Sequence, residues 1–120
     1  MTEASRDPAA LADRIASVAS DRKAIDIRLI DLRGIVSYTD FFVICSGNTE
    51  RQTKAIHDAI YEDLKHDPDR LLPRRTEGDR DARWILLDYW DVVVHIFTPD
   101  AREYYRLENL WGEAPARSVG

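Results

Sequence analysis

Cysteine is nearly absent from this 120-residue chain. Cys45 stands alone, so no intrachain disulfide can form, and the clustered Cys and His of a zinc site are missing. No apolar run approaches 18 residues, which excludes a membrane-spanning helix. A basic excess is missing too: 22 acidic residues face 17 basic ones, for a formal net charge of -5. Non-specific nucleic-acid binding needs a basic surface that releases counterions, so direct nucleic-acid readout is not expected. A basic protein partner suits the sign better. The opening MTEASRDPAA is polar and acidic, unlike a secretory signal, and a cytoplasmic location is expected. Internal repeats and low-complexity tracts are also missing.

The glycine patterns of catalysis are lacking as well. "SGNT" (46–49) precedes a helical stretch, and free amides at a helix start attract anions. It has neither the Lys-Ser/Thr of a P-loop nor the three glycines of a dinucleotide fingerprint. Ser46 lacks the nucleophile-elbow glycines. Cys45 has no histidine close in sequence and reads as a buried structural thiol.

What is present is an ordinary globular mix, 44% hydrophobic and 32% charged. A chain this long fits one domain and buries roughly two thirds of its unfolded surface. Residues 1–120 are read as a single domain, with 1–6 and 113–120 as loose tails. Asp7-Pro8 opens a helix whose apolar stripe runs through Leu11, Ile15 and Val18, beside Ala12, Ala16 and Ala19. Ile25, Ile27 and Leu29 alternate with Asp26 and Arg28, the period of a half-buried strand. "FFVICS" (41–46) reads as a strand buried on both faces. Thr49 and Gln52 fit a capping box before a helix carrying Ile56, Ala59, Ile60 and Leu64. "LLPRR" (71–75) reads as a short extended piece, followed by the charged loop "TEGDRDA". Strands 84–88 and 91–97 follow, joined by a tight turn. A last helix from Thr98-Pro99 carries Tyr104, Leu107 and Trp111 and ends at a left-handed Gly112. The order α-β-β-α-β-β-β-α predicts an α/β domain, a mixed sheet of about five strands flanked by helices.

"WILLDYWDVVVHIF" (84–97) carries the most chemistry. Asp88 and Asp91 flank Tyr89-Trp90 at the hairpin tip. They suit a turn, and the alternative is a hard-cation site beside a phosphate-bearing substrate. His95 sits among valines on a strand apolar on both faces, as a core histidine rather than a ligand. Trp84, Trp90, Trp111, Tyr89, Tyr104 and Tyr105 crowd the last third of the chain. Aromatics near arginine are what protein-binding hot spots are made of, but core packing explains them equally well.

Together "SYTDFFVICSGNTERQTKAI", "WILLDYWDVVVHIF" and "REYYRLENLW" resemble the ribosomal silencing factor (RsfS, or Iojap) family, from about Ile25 to Glu113. The resemblance implies an α/β fold related in topology to nucleotidyltransferases but without their chemistry, and no cofactor. It implies binding to the large ribosomal subunit through the ribosomal protein numbered fourteen (L-fourteen). Docked there, the factor would block joining of the small subunit when nutrients are scarce. It further implies a part in late large-subunit maturation, and a homodimer when free. Carried over by position, the partner-binding surface centres on Trp84 and extends to Asp88, Tyr89, Arg102, Tyr105 and Glu108. One departure is visible: Trp90 stands where the family's hairpin tip has glycine. The competing reading is a small nucleotidyl- or phosphoryl-transferring enzyme using "SGNT" for phosphate and Asp88/Asp91 for magnesium. That chemistry asks for a Gly-Ser pair before a helix and two aspartates side by side on one strand. Neither is present.

Overall fold

A computed structural model describes residues 7–68 and 70–119, so the expected loose tail at 1–6 lies outside the described residues. The elements are α1 (Pro8–Asp21), β1 (Ile25–Asp31), β2 (Phe41–Ser46), α2 (Glu50–Lys65), β3 (Arg75–Glu77), β4 (Trp84–Asp88), β5 (Val92–Phe97), α3 (Pro99–Tyr105), a 3-10 turn (Leu107–Trp111) and β6 (Ala116–Val119). They form one six-stranded mixed sheet in the order β3-β4-β5-β2-β1-β6.

β2 and β5 lie at the centre, and all six residues of each are buried. They run parallel, with Phe41 opposite Val92 and Ser46 opposite Phe97. Every other pairing is antiparallel. β1 carries a bulge: Ile25 faces Ser46 but Arg28 faces Ile44, and Asp26 takes φ +49. Aspartate tolerates that left-handed angle better than most residues.

The two faces are covered unequally. One packs under α1 and α2, helices of 14 and 16 residues. α1 presents Ala12, Ala16 and Ala19 with Ile15, all fully buried, while Leu11 and Val18 sit at the rim. The small alanines let the helix lie close to the sheet. At the start of α2, the Thr49 hydroxyl accepts the Gln52 amide at 3.1 Å, and Gln52 Oε1 accepts the Asn48 amide at 2.9 Å. This is a one-residue variant of the expected capping box. Asp7 caps α1 by position without a side-chain hydrogen bond.

Several expectations change. The sheet has six strands rather than five, because residues 116–119 form an edge strand on β1 instead of a loose tail. The strand near 71–75 is displaced to Arg75–Glu77, since Leu71 is drawn back onto the end of α2 by a 3.0 Å bond from its amide to Leu64 O. Gly78 (φ +79) turns that hairpin so tightly that a Cβ would meet Trp84 O at 1.9 Å. The last helix stops at Tyr105, where Arg106 takes φ +48, and Gly112 is right-handed at φ -60.

Candidate partner-binding surface

The second face of the sheet has little of its own chain to cover it: the seven-residue α3, the five-residue 3-10 turn and Ala114. Strand alternation sends Trp84, Leu86 and Asp88 to this face from β4. β5 adds Val93, His95 and Phe97, and β2 adds Phe42 and Ile44. What the chain cannot bury with helices it fills with rings. Trp84 stacks on Phe97 with centroids 4.9 Å apart and leans on Tyr105 at 4.6 Å. His95 lies 6.0 Å from Trp84 and 4.6 Å from Phe42. Phe42 then touches Trp111 at 5.7 Å and Tyr38 at 6.4 Å, and Tyr104 meets Tyr105 edge-on at 5.0 Å. The ridge is buried in its middle and open at its ends: Tyr105 is 51% exposed, Tyr104 80% and Tyr38 54%.

Trp84 is tied in by more than packing. Its Nε1–H donates to His95 Nδ1 at 3.1 Å. His95 is itself buried, and burial pushes its pKa down to about 3, slightly opposed by the Asp88 charge. The imidazole is therefore neutral near pH 7, with its proton on Nε2, a buried atom without a hydrogen-bond partner.

Arg102 and Glu108 brace this face from the side. The Arg102 Nε and Nη2 hydrogens reach Glu108 Oε2 at 3.1 and 3.0 Å, while Nη1 donates to Ser46 Oγ at 3.0 Å and Ile25 O at 3.5 Å. In an unbroken helix, residues six apart do not share a face. The left-handed Arg106 lets them meet, which is a physical reason for the helix to stop there. The clamp joins α3 to the ends of β1 and β2.

Asp88 and Tyr89 need correcting. The resemblance puts both on the partner-binding surface, yet each is 2% exposed. β4 continues through Asp88, so these neighbours point to opposite faces. The Asp88 carboxylate accepts Arg74 Nε at 3.0 Å and the Trp90 amide at 2.9 Å. Tyr89 packs into the core under α1 and α2, its hydroxyl without a partner. Trp84 and Tyr105 thus come together at the surface, Arg102 and Glu108 pair beside them, and Asp88 and Tyr89 hold the hairpin from within. Sequence reasoning missed Phe42, Tyr38 and the Trp84–His95 bond. Phe42 and Tyr38 lie in "SYTDFF", but strand period alone does not say which face they share with Trp84.

The two aspartates of the transferase reading stand in different surroundings. Asp88 is consumed by Arg74 and the turn, while Asp91 lies beyond it and is exposed. Among the described residues no group of three or more His, Cys, Asp or Glu could hold a metal ion. Within "SGNT" the Gly47 amide donates to Phe97 O and the Asn48 amide to Gln52 Oε1, each at 2.9 Å, while Thr49 Oγ1 takes the Gln52 amide. Cys45 is fully buried, and burial pushes its thiol up to about 12. No helix among the described residues is long and apolar enough to cross a membrane.

Residues 4–119 match the family model described as ribosomal silencing factor during starvation. The chain belongs to the ribosomal silencing factor family. A relative from Bacillus subtilis (strain 168), named ribosomal silencing factor RsfS, is 43% identical over 100 residues, 83% of each chain. A mouse relative, named mitochondrial assembly of ribosomal large subunit protein 1, is 34% identical over 82% of this chain and 44% of its own length. The crystal structure of a Chromobacterium violaceum protein superposes with a TM-score of 0.84 at 30% identity, covering 95% of this chain and 94% of that one. That silencing-factor fold is the α/β layering described above.

Proposed function

We propose that this chain is a non-catalytic ribosome-binding factor of the cytoplasm. It docks on the large subunit through the ribosomal protein L-fourteen and sterically keeps the small subunit from joining, so that translation falls. The observation that carries this reading is the thinly covered aromatic face around Trp84 and Tyr105, in a chain of the silencing-factor family. Large aromatics at the edge of a packed cluster are typical binding hot spots. The net charge of -5 complements a basic ribosomal protein. Trp84 and Tyr105 are the contacts, Arg102 and Glu108 position them, and Asp88 and Tyr89 fix the hairpin that carries Trp84. The mouse relative's name supports a part in large-subunit assembly as well, and homodimerisation of the free protein belongs to the same proposal.

Co-sedimentation with purified large subunits tests this directly. Tyr105 is half exposed, so Tyr105→Ala should change folding stability by no more than about 1 kcal/mol. Loss of an aromatic hot spot should weaken binding roughly thirtyfold. Wild-type protein should also reduce joining when small subunits are added. Unchanged binding by the folded variant refutes the docking face. Magnesium-ATP should leave the thermal midpoint unmoved, whereas a clear upward shift would favour the transferase reading.

A further inference from the structure

The hairpin tip carries an exposed side chain that neither the core nor the docking face uses. Trp90 is the middle of a three-residue turn in which the Asp91 amide donates to Tyr89 O at 2.9 Å. Its φ is +69, a region where an L side chain is strained and glycine is not. The turn is held because Asp88 accepts the Trp90 amide and is itself fixed by Arg74. The consequence is an indole 47% exposed at the tip. The Arg74 guanidinium lies over the ring, 5.9 Å from its centroid. Among the described residues no second cation or ring sits on it.

Two carboxylates lie at the same end of the sheet. The Asp40 amide donates to Asp91 O at 2.9 Å, which fixes the 35–40 loop against the tip. Neither the Asp40 nor the Asp91 side chain forms an ion pair among the described residues. Arg33, whose charge Asp40 feels, is committed to Asp31 at 2.7 Å. Partial burial and the neighbouring Asp40 both raise the pKa of Asp91. The arginines at this corner are engaged elsewhere, Arg74 and Arg75 with Asp88 and Arg33 with Asp31, which leaves Asp40 and Asp91 without an ion-pair partner among the described residues.

We infer that the tip reads a cationic side chain. Trp90 takes a lysine or arginine of a basic protein segment onto its open ring, with Asp91 and Asp40 supplying the opposite charge. RNA is disfavoured by the same carboxylates, which repel phosphate. Only the identity of that segment as ribosomal rests on the reading above; the chemistry of the tip does not.

Trp90→Gly is an informative variant, because glycine accepts φ +69 and leaves the net charge unchanged. The variant should be at least as stable as the wild type. Calorimetry with a hexa-arginine peptide at physiological salt should show about fivefold to thirtyfold weaker binding than wild type, with Asp91→Asn also weakened. Equal peptide affinity for wild type and Trp90→Gly overturns the inference, since bulk charge would then explain the binding. Tighter binding of a uridine hexanucleotide than of the peptide, lost in Trp90→Gly, also overturns it and assigns the tip to RNA. Peptide discrimination in a protein that ignores large subunits would remove the docking proposal and leave this one standing. Subunit binding without peptide discrimination would do the reverse.

Discussion

Acidification should loosen this domain through His95. Burial lowers the folded-state pKa to about 3, against 6.5 for a free imidazole. The mechanism is visible: neutral Nδ1 accepts the Trp84 Nε1–H. A proton added there would confront one donor with another and place a charge in an apolar layer. The sign follows from linkage. As pH falls below about 6.5 the unfolded chain takes up a proton that the folded chain refuses, so stability declines until about pH 3. Two pH units below 6.5, the loss is about 2–3 kcal/mol at 1.36 kcal/mol per unit. Urea denaturation of wild type and His95→Gln across this range isolates the effect, because glutamine offers Trp84 an acceptor that does not titrate. The wild-type stability should fall more steeply than the variant's by up to about 1.4 kcal/mol per pH unit. Carboxylates common to both cancel in the difference. Parallel curves would refute the buried neutral imidazole and the account of how Trp84 is held.

Arg102→Ala should cost about 3–5 kcal/mol by stranding Glu108, whose Oε1 already has no hydrogen-bond partner. Adding Glu108→Ala should recover at least about 1 kcal/mol of that in denaturation, and a purely additive pair would contradict the clamp. Asp88→Asn should cost about 1.5–3 kcal/mol, because the bond to Arg74 loses its charge while Arg74 remains half exposed. Thermal unfolding within error of wild type would show that the hairpin does not depend on it.

Much of this architecture is legible in local pattern. "FFVICS" and "VVVHIF" are apolar at every position or nearly so, and a strand covered on both sides admits little else. The alternation of Ile25, Ile27 and Leu29 marks β1, although the bulge at Asp26 is invisible without its partner strand. What was not legible depends on partners far away in sequence. "ARSV" has no apolar alternation, and its strand exists through backbone bonds to β1. The Tyr104, Leu107 and Trp111 spacing is helical, but the Arg102–Glu108 pair and the left-handed Arg106 break the helix between them. The site divides the same way. Trp84 and Tyr105 were placed together by position and do meet. The resemblance carries Asp88 and Tyr89 to the surface by position, whereas the last residue of β4 and the one after it both turn their side chains inward.

The choice between core and interface for Trp84 is a false one, and the unequal layering explains why. A face covered by one short helix and a turn has too little chain to seal a large aromatic. Its apolar edge therefore packs against Phe97 and Tyr105 while another part meets solvent. Tryptophan suits this position because it combines a large apolar body with one N–H, and that N–H finds a buried acceptor in His95. Truncation to alanine would remove stacking, orphan His95 Nδ1 and delete surface at once, so lost stability does not argue against an interface role. Tyr105 has no such second duty, since among the described residues it packs on Trp84 and Tyr104 and holds no buried polar group. The boundary between a silencing factor's own core and its partner's footprint therefore runs through the Trp84 ring itself, and the substitution that separates them lies one ring outward.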